Sequence, residues 1–163
     1  MFTLLSELER RMESSIMPDS GRLRLLLVED SPADVFLVRE ALSLHLPQAD
    51  ISVATDGELA LHAFESKNEG GPHCPDLLLL DLNLPKRTGA EVLARFRQHC
   101  TNSPVIVITS SDSAADRARV ASLGANYYFR KPSSYDEFMK LGEVARRLWE
   151  NYSPAACRVT PEV

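Results

Sequence analysis

The chain has 163 residues, 44% hydrophobic and 25% charged, and carries a net charge of −5. That length supports one domain with its own core, and the acidic balance argues against a dedicated nucleic-acid surface. No stretch approaches the ~20 apolar residues needed to span a bilayer, and Glu7, Glu9, Arg10 and Arg11 interrupt the apolar block of a signal peptide, so a cytoplasmic protein without a membrane segment is expected.

Residues 1–21 read as an N-terminal extension, able to form a helix with Leu5, Leu8, Met12 and Ile16 on one face. The run Leu23-Arg24-Leu25-Leu26-Leu27-Val28-Glu29-Asp30 reads as a buried strand closed by two acids. Ser31-Pro32 supplies a helix N-cap and first helical residue, with Asp34 in the first turn. The helix carries Val35, Val38, Ala41 and Leu42 on one face and ends before Pro47. Ile51 to Ala54 form a second strand, and Asp56-Gly57 turns into a helix with Leu59, Ala60, Ala63 and Phe64.

After a Gly- and Pro-punctuated loop, the apolar run Leu77 to Leu80 ends at Asp81. Gly89 leads into a helix with Val92, Leu93 and Phe96. Val105 to Ile108 form the fourth strand, ending at Thr109 and Ser110. A helix with Ala114, Ala118, Ala121 and Leu123 stops at Gly124, a C′ residue. Asn126 to Arg130 form the fifth strand, followed by Lys131. The last helix opens with a Ser134-x-x-Glu137 capping box and carries Phe138, Leu141, Ala145 and Leu148. Residues 151–163 read as a flexible tail, leaving one domain over 22–150. Cys74, Cys100 and Cys157 are odd in number and widely spaced, so free thiols are expected. The four histidines form no metal-spaced cluster.

Five strand–helix units with near-continuous apolar strands predict an α/β fold with a parallel sheet covered on both faces. Right-handed crossovers favour the flavodoxin-like doubly wound (βα)5 order 2-1-3-4-5. In such a sheet ligands bind beyond the carboxyl ends of the strands. Glu29 and Asp30, Asp81, Thr109 with Ser110, and Lys131 all fall at that edge, and the strand order sets the acid pair beside Asp81. Three carboxylates so close are tolerable when a hard divalent cation joins them, and magnesium suits oxygen ligands and phosphate. Asp81 then reads as a nucleophile toward phosphorus, with Lys131 and the Thr109 hydroxyl for the phosphoryl oxygens and the small Ser110 leaving room beside them.

Val28-Glu29-Asp30, Asp81-Leu82-Asn83-Leu84-Pro85 with Gly89, Thr109-Ser110 and Lys131-Pro132, in this order over residues 22–150, resemble the receiver domain of two-component response regulators. The resemblance implies that Asp81 is the phospho-acceptor of a histidine kinase. It implies that Asp30 binds magnesium directly, Glu29 binds it through water, Asp81 shares the ion, and Asn83 supplies a backbone carbonyl to the metal and lies at the phosphate with Ser110. Thr109 and Lys131 would contact the phosphoryl group, and Tyr128 matches an aromatic switch position. Ser31-Pro32-Ala33-Asp34 and Asp81 to Lys86 are similar to single-domain receivers that partner bacterial phytochromes, which implies a bacteriophytochrome kinase as partner. The resemblance implies a stand-alone switch rather than a turnover enzyme, and the need to cover the edge strand leads us to expect homodimerisation through the face of the fourth helix, fifth strand and fifth helix. Core and edge packing accounts for Tyr127 and Phe129.

Three other readings stand beside this one. A degenerate receiver would bind partners without phosphorylation. An aspartate-nucleophile phosphatase would want a second acid where Asn83 stands. A flavin-binding fold would want a hydroxyl- and Gly-rich loop where Glu29 and Asp30 stand.

Overall fold

The computed structural model describes residues 22–68 and 71–152. Five strands, β1 (Arg24–Val28), β2 (Asp50–Ala54), β3 (Leu77–Asp81), β4 (Val105–Thr109) and β5 (Tyr127–Arg130), form one parallel sheet in the order 2-1-3-4-5. The helices are α1 (Pro32–His45), α2 (Gly57–Glu65), α3 (Gly89–His99), α4 (Ala114–Ser122) and α5 (Tyr135–Tyr152). A two-residue antiparallel ladder, Lys67–Asn68 with Gly71–Pro72, precedes β3. The predicted fold and strand order are those observed.

The period-2 geometry of a strand explains the two cores. Leu25, Leu27, Leu77, Leu79, Ile106 and Ile108 face one layer, where Val38, Ala41 and Leu42 of α1 meet Phe138, Leu141 and Ala145 of α5. Leu26, Val28, Leu78, Leu80, Val105 and Val107 face the other, against Ala60 and Phe64 of α2, Val92, Leu93 and Phe96 of α3, and Val120 of α4. All five residues of β3 are buried. Polar groups can enter this sheet only at its ends, and that restriction places the chemistry.

Several local expectations change. Leu59 is 51% exposed and Ala63 is also exposed, because α2 turns Ala60 and Phe64 inward and these two lie off that stripe. Ala114, Ala118 and Ala121 face solvent, since α4 covers the sheet mainly through Val120 and alanine methyls gain little by burial. The Ser134 carbonyl accepts the Phe138 N–H at 3.0 Å, but no Ser134–Glu137 side-chain box forms. Glu137 lines a groove beside β5 instead. Tyr127 is 44% exposed on the edge strand, whereas Phe129 packs edge-on against Phe138 at 6.0 Å between ring centroids.

The expectation of free thiols fails for two of the three cysteines. Cys74 and Cys100 are disulfide-bonded, with Cα atoms 5.5 Å apart. Cys74 sits just before β3 and Cys100 caps the C-terminus of α3, so strand and helix bring them together although 26 residues separate them in sequence. Spacing could not foresee this, because the proximity belongs to the β3–α3 crossover. The expected tail over 151–163 begins too early, since Asn151 and Tyr152 close α5; its remaining residues, Cys157 among them, and the proposed helix in residues 1–21 lie outside the described residues.

Candidate phosphoryl-acceptor site

Two of the acidic side chains at the sheet's carboxyl edge, Asp81 and Glu29, are held by local hydrogen bonds. Asp81 is the last residue of β3 and 5% exposed. Its Oδ1 accepts the backbone N–H of Asn83 at 3.2 Å. The chain can fold back so tightly because residue 89 is glycine. A Cβ there would collide with the Asp81 carbonyl and the Leu82 backbone, so α3 can start against the acid only without one. The Gly89 N–H donates to the Leu82 carbonyl at 3.0 Å. Thr88 caps α3 in a reciprocal box with Glu91, a T-x-x-E signal present in the sequence that the motif reading passed over.

Glu29 follows β1 and is 2% exposed, with its N–H bound to the Ala54 carbonyl of β2. Its Oε1 accepts the Ser31 N–H at 3.1 Å. Asp30 is exposed beside it. One carboxylate oxygen from each of Glu29, Asp30 and Asp81 lies within 4.8 Å of the others.

Lys131 arrives from the end of β5, its N–H donating to the Thr109 carbonyl at 2.8 Å. Its Nζ donates to Glu29 Oε2 at 2.8 Å, Asp34 Oδ2 at 2.8 Å and Asp81 Oδ2 at 3.2 Å. Its place in the sequence marks Asp34 as a first-turn helix acid. Nothing in its spacing marks it as a lysine partner, because that contact joins residues 97 apart.

Burial would lower the Lys131 pKa, but the hydrogen bonds to Asp34 and Glu29 and the charges of Asp81 and Glu29 outweigh it and hold the ammonium above its ordinary value. Burial pushes Glu29 up to about 7, assisted by the Asp81 charge and opposed by the Lys131 hydrogen bond. The lysine is therefore firmly cationic, while the carboxylates around it carry more negative charge than it neutralises. An all-oxygen donor set with surplus negative charge suits a hard divalent cation.

Thr109 is fully buried at the end of β4, and its Oγ1 accepts the Ser111 N–H at 3.2 Å. Ser110 is exposed next to it. The Tyr128 hydroxyl donates to the Ser111 carbonyl at 2.8 Å, and the Arg117 guanidinium lies 4.5 Å from its ring centroid. Tyr128 is thus tied to the loop that leaves Thr109.

The family model for the response regulator receiver domain matches residues 25–142. The chain belongs to the response regulator receiver family. Receivers are signalling modules phosphorylated by histidine kinases, they bind a divalent cation at an acidic site, and they are generally not turnover enzymes. This receiver is 37% identical over 130 residues to the response regulator Rcp1 of Synechocystis, a match covering 77% of this chain and 87% of Rcp1. It is 36% identical over 130 residues to the transcriptional regulatory protein TrcR of Mycobacterium tuberculosis, covering 79% of this chain but only 48% of TrcR. Among solved structures, the phosphorylated cyanobacterial phytochrome response regulator RcpA superposes with TM-score 0.69 at 29% identity, over 87% of this chain and 100% of that one. The Mn(2+)-bound form of Rcp1 gives TM-score 0.69 at 32% identity, over 86% and 99%. Among the described residues no helix is long and apolar enough to cross a membrane.

Proposed function

We propose that this receiver accepts a phosphoryl group on Asp81 from a partner histidine kinase and signals by changing its protein contacts. The observation that carries this is the meeting of Asp81 Oδ2 with Lys131 Nζ at 3.2 Å beside the Glu29, Asp30 and Asp81 oxygens. An Asp81 carboxylate oxygen attacks phosphorus, the P–N bond to the kinase histidine breaks, and that nitrogen leaves with the bonding pair. The product is an acyl phosphate. Lys131 follows the added charge to a phosphoryl oxygen, and the Thr109 hydroxyl, whose oxygen accepts the Ser111 N–H, turns to donate its proton to another. Asn83 and Ser110 would also contact the phosphoryl group. Glu29, Asp30, Asp81 and the Asn83 carbonyl would hold magnesium, which when bound screens the approach of phosphate to carboxylate.

Movement at Thr109 reaches the Ser111 carbonyl, where Tyr128 is anchored, so Tyr128 is the readout: a new charge biases two packings of one loop. The groove between β5 and α5, about 350 Å³, is lined by Tyr127, Phe129, Arg130, Lys140 and Glu143. Its mixed charges suit self-association about a two-fold axis, which supports a homodimer on the α4–β5–α5 face. Likeness to Rcp1 and to a phytochrome response regulator supports a phytochrome-type kinase as donor. On this reading the exchange takes place in the cytoplasm.

Incubation with acetyl phosphate and magnesium, followed by a phosphate-affinity gel, is the test. A shifted band is expected that disappears without magnesium and in Asp81→Ala. A band that persists in Asp81→Ala, or no band in wild type, overturns the reading.

A further inference from the structure

We infer that Asp34 is a positioning residue that restrains Lys131 in the unphosphorylated state and so sets how readily the site accepts a phosphoryl group. This rests on the receiver reading of Asp81.

The local structure makes Asp34 available for this. With Ser31 as N-cap and Pro32 first in the helix, Asp34 is the third helical residue, where an acid ordinarily reaches back to the N-cap N–H. That partner is taken: the Ser31 N–H donates to Glu29 at 3.1 Å. The Asp34 N–H is satisfied by Ser31 Oγ at 3.4 Å, so α1 is capped without the Asp34 carboxylate. The carboxylate turns instead to Lys131 at 2.8 Å, closer than the 3.2 Å between Lys131 and Asp81. Among the described residues, Asp34 is also the one Lys131 ammonium partner outside the Glu29, Asp30 and Asp81 oxygen cluster. Its side chain is 28% exposed while that of Lys131 is 10% exposed, so the pair closes the solvent side of the lysine.

A phosphoryl group on Asp81 needs the Lys131 ammonium, and each increment of contact with Asp34 competes for it. Asp34→Asn weakens a charge-assisted hydrogen bond to a neutral one while leaving the helix cap intact. Freed from that pull, Lys131 moves to the incoming anion at less cost.

The experiment titrates beryllofluoride, a phosphoryl mimic, in the presence of magnesium, following Tyr and Trp fluorescence, with melting temperature measured in parallel. Asp34→Asn is expected to lower the half-saturating concentration by about fivefold to tenfold, the scale of the difference between a charge-assisted and a neutral hydrogen bond, and Asp34→Glu to stay near wild type. In a Lys131→Met background the Asp34→Asn change should have no further effect on the rate of phosphorylation by acetyl phosphate. Unchanged or weakened beryllofluoride binding in Asp34→Asn overturns the inference, as does a gain that persists without Lys131. Failure of wild type to bind beryllofluoride would instead overturn the receiver reading.

Discussion

At the scale of single residues, the site depends on backbone closeness as much as on charge. Gly89 shows this: it contributes no functional group, yet a methyl at that position would meet the Asp81 carbonyl. Gly89→Ala is expected to cost about 1–3 kcal/mol by overpacking and to slow phosphorylation more than any equally destabilising core change. Denaturant titration and the acetyl phosphate assay together check this. Equal losses in Gly89→Ala and in a matched variant such as Leu141→Val would remove the special role of position 89. That Asp81, Lys131 and the Glu29–Asp30 pair meet at one edge was readable in sequence, because strand-end chemistry follows apolar runs. The contact of Asp34 with Lys131 was not, because it depends on which of two partners the Ser31 N–H chooses.

At the scale of elements, helix starts hold the loops around the site. Asp56 caps α2 and Glu91 completes the box at the start of α3. The Leu59 N–H donating to Asp56, and the Thr88 N–H donating to Glu91, hold both carboxyls below the ordinary range. A lowered native pKa means that the unfolded chain binds protons more readily. These contributions are therefore complete above the ordinary carboxylate pKa of about 4 and are lost as pH falls through the lowered native values. Asp56→Asn should give a shallower fall in stability below pH ~4 than wild type, measured by urea unfolding across pH. An identical slope would exclude the carboxylate as the source. For α3 itself, Thr88→Ala should cost about 1 kcal/mol. Helix positions were readable from periodicity, but which face turns inward was less so. Leu59 reads as core by hydrophobicity, yet Ala60 and Phe64 take that face because Phe64 meets Phe96 edge-on at 5.1 Å.

At the scale of the molecule, two fastenings hold the sheet at the end away from the site. Arg97 of α3 donates to the carbonyls of Gly124, Cys100 and Ser103 and to the side chain of Asn126, joining α3 to the entry of β5. The Cys74–Cys100 bond joins the entry of β3 to the end of α3. Closing that loop should contribute roughly 3–4 kcal/mol, or about 10 °C in melting temperature for a chain of this size. Thermal melts with and without a thiol-free reductant should differ by about that much, and Cys74→Ser should melt like the reduced protein under both conditions. A wild-type melt indifferent to reductant would exclude the bond as a source of stability.

The amino-acid sequence alone determined the fold class, the strand order and the set of chemical groups at the carboxyl edge. These follow from period and chain order, and apolar strands bar polar groups from everywhere but their ends. Tertiary structure decided what depends on distance between residues remote in sequence: the Asp34–Lys131 pair, the pairing of Cys74 with Cys100 and the Arg97 staple. Each joins segments through crossovers whose geometry is set by packing against the sheet, so no local pattern in the chain records it.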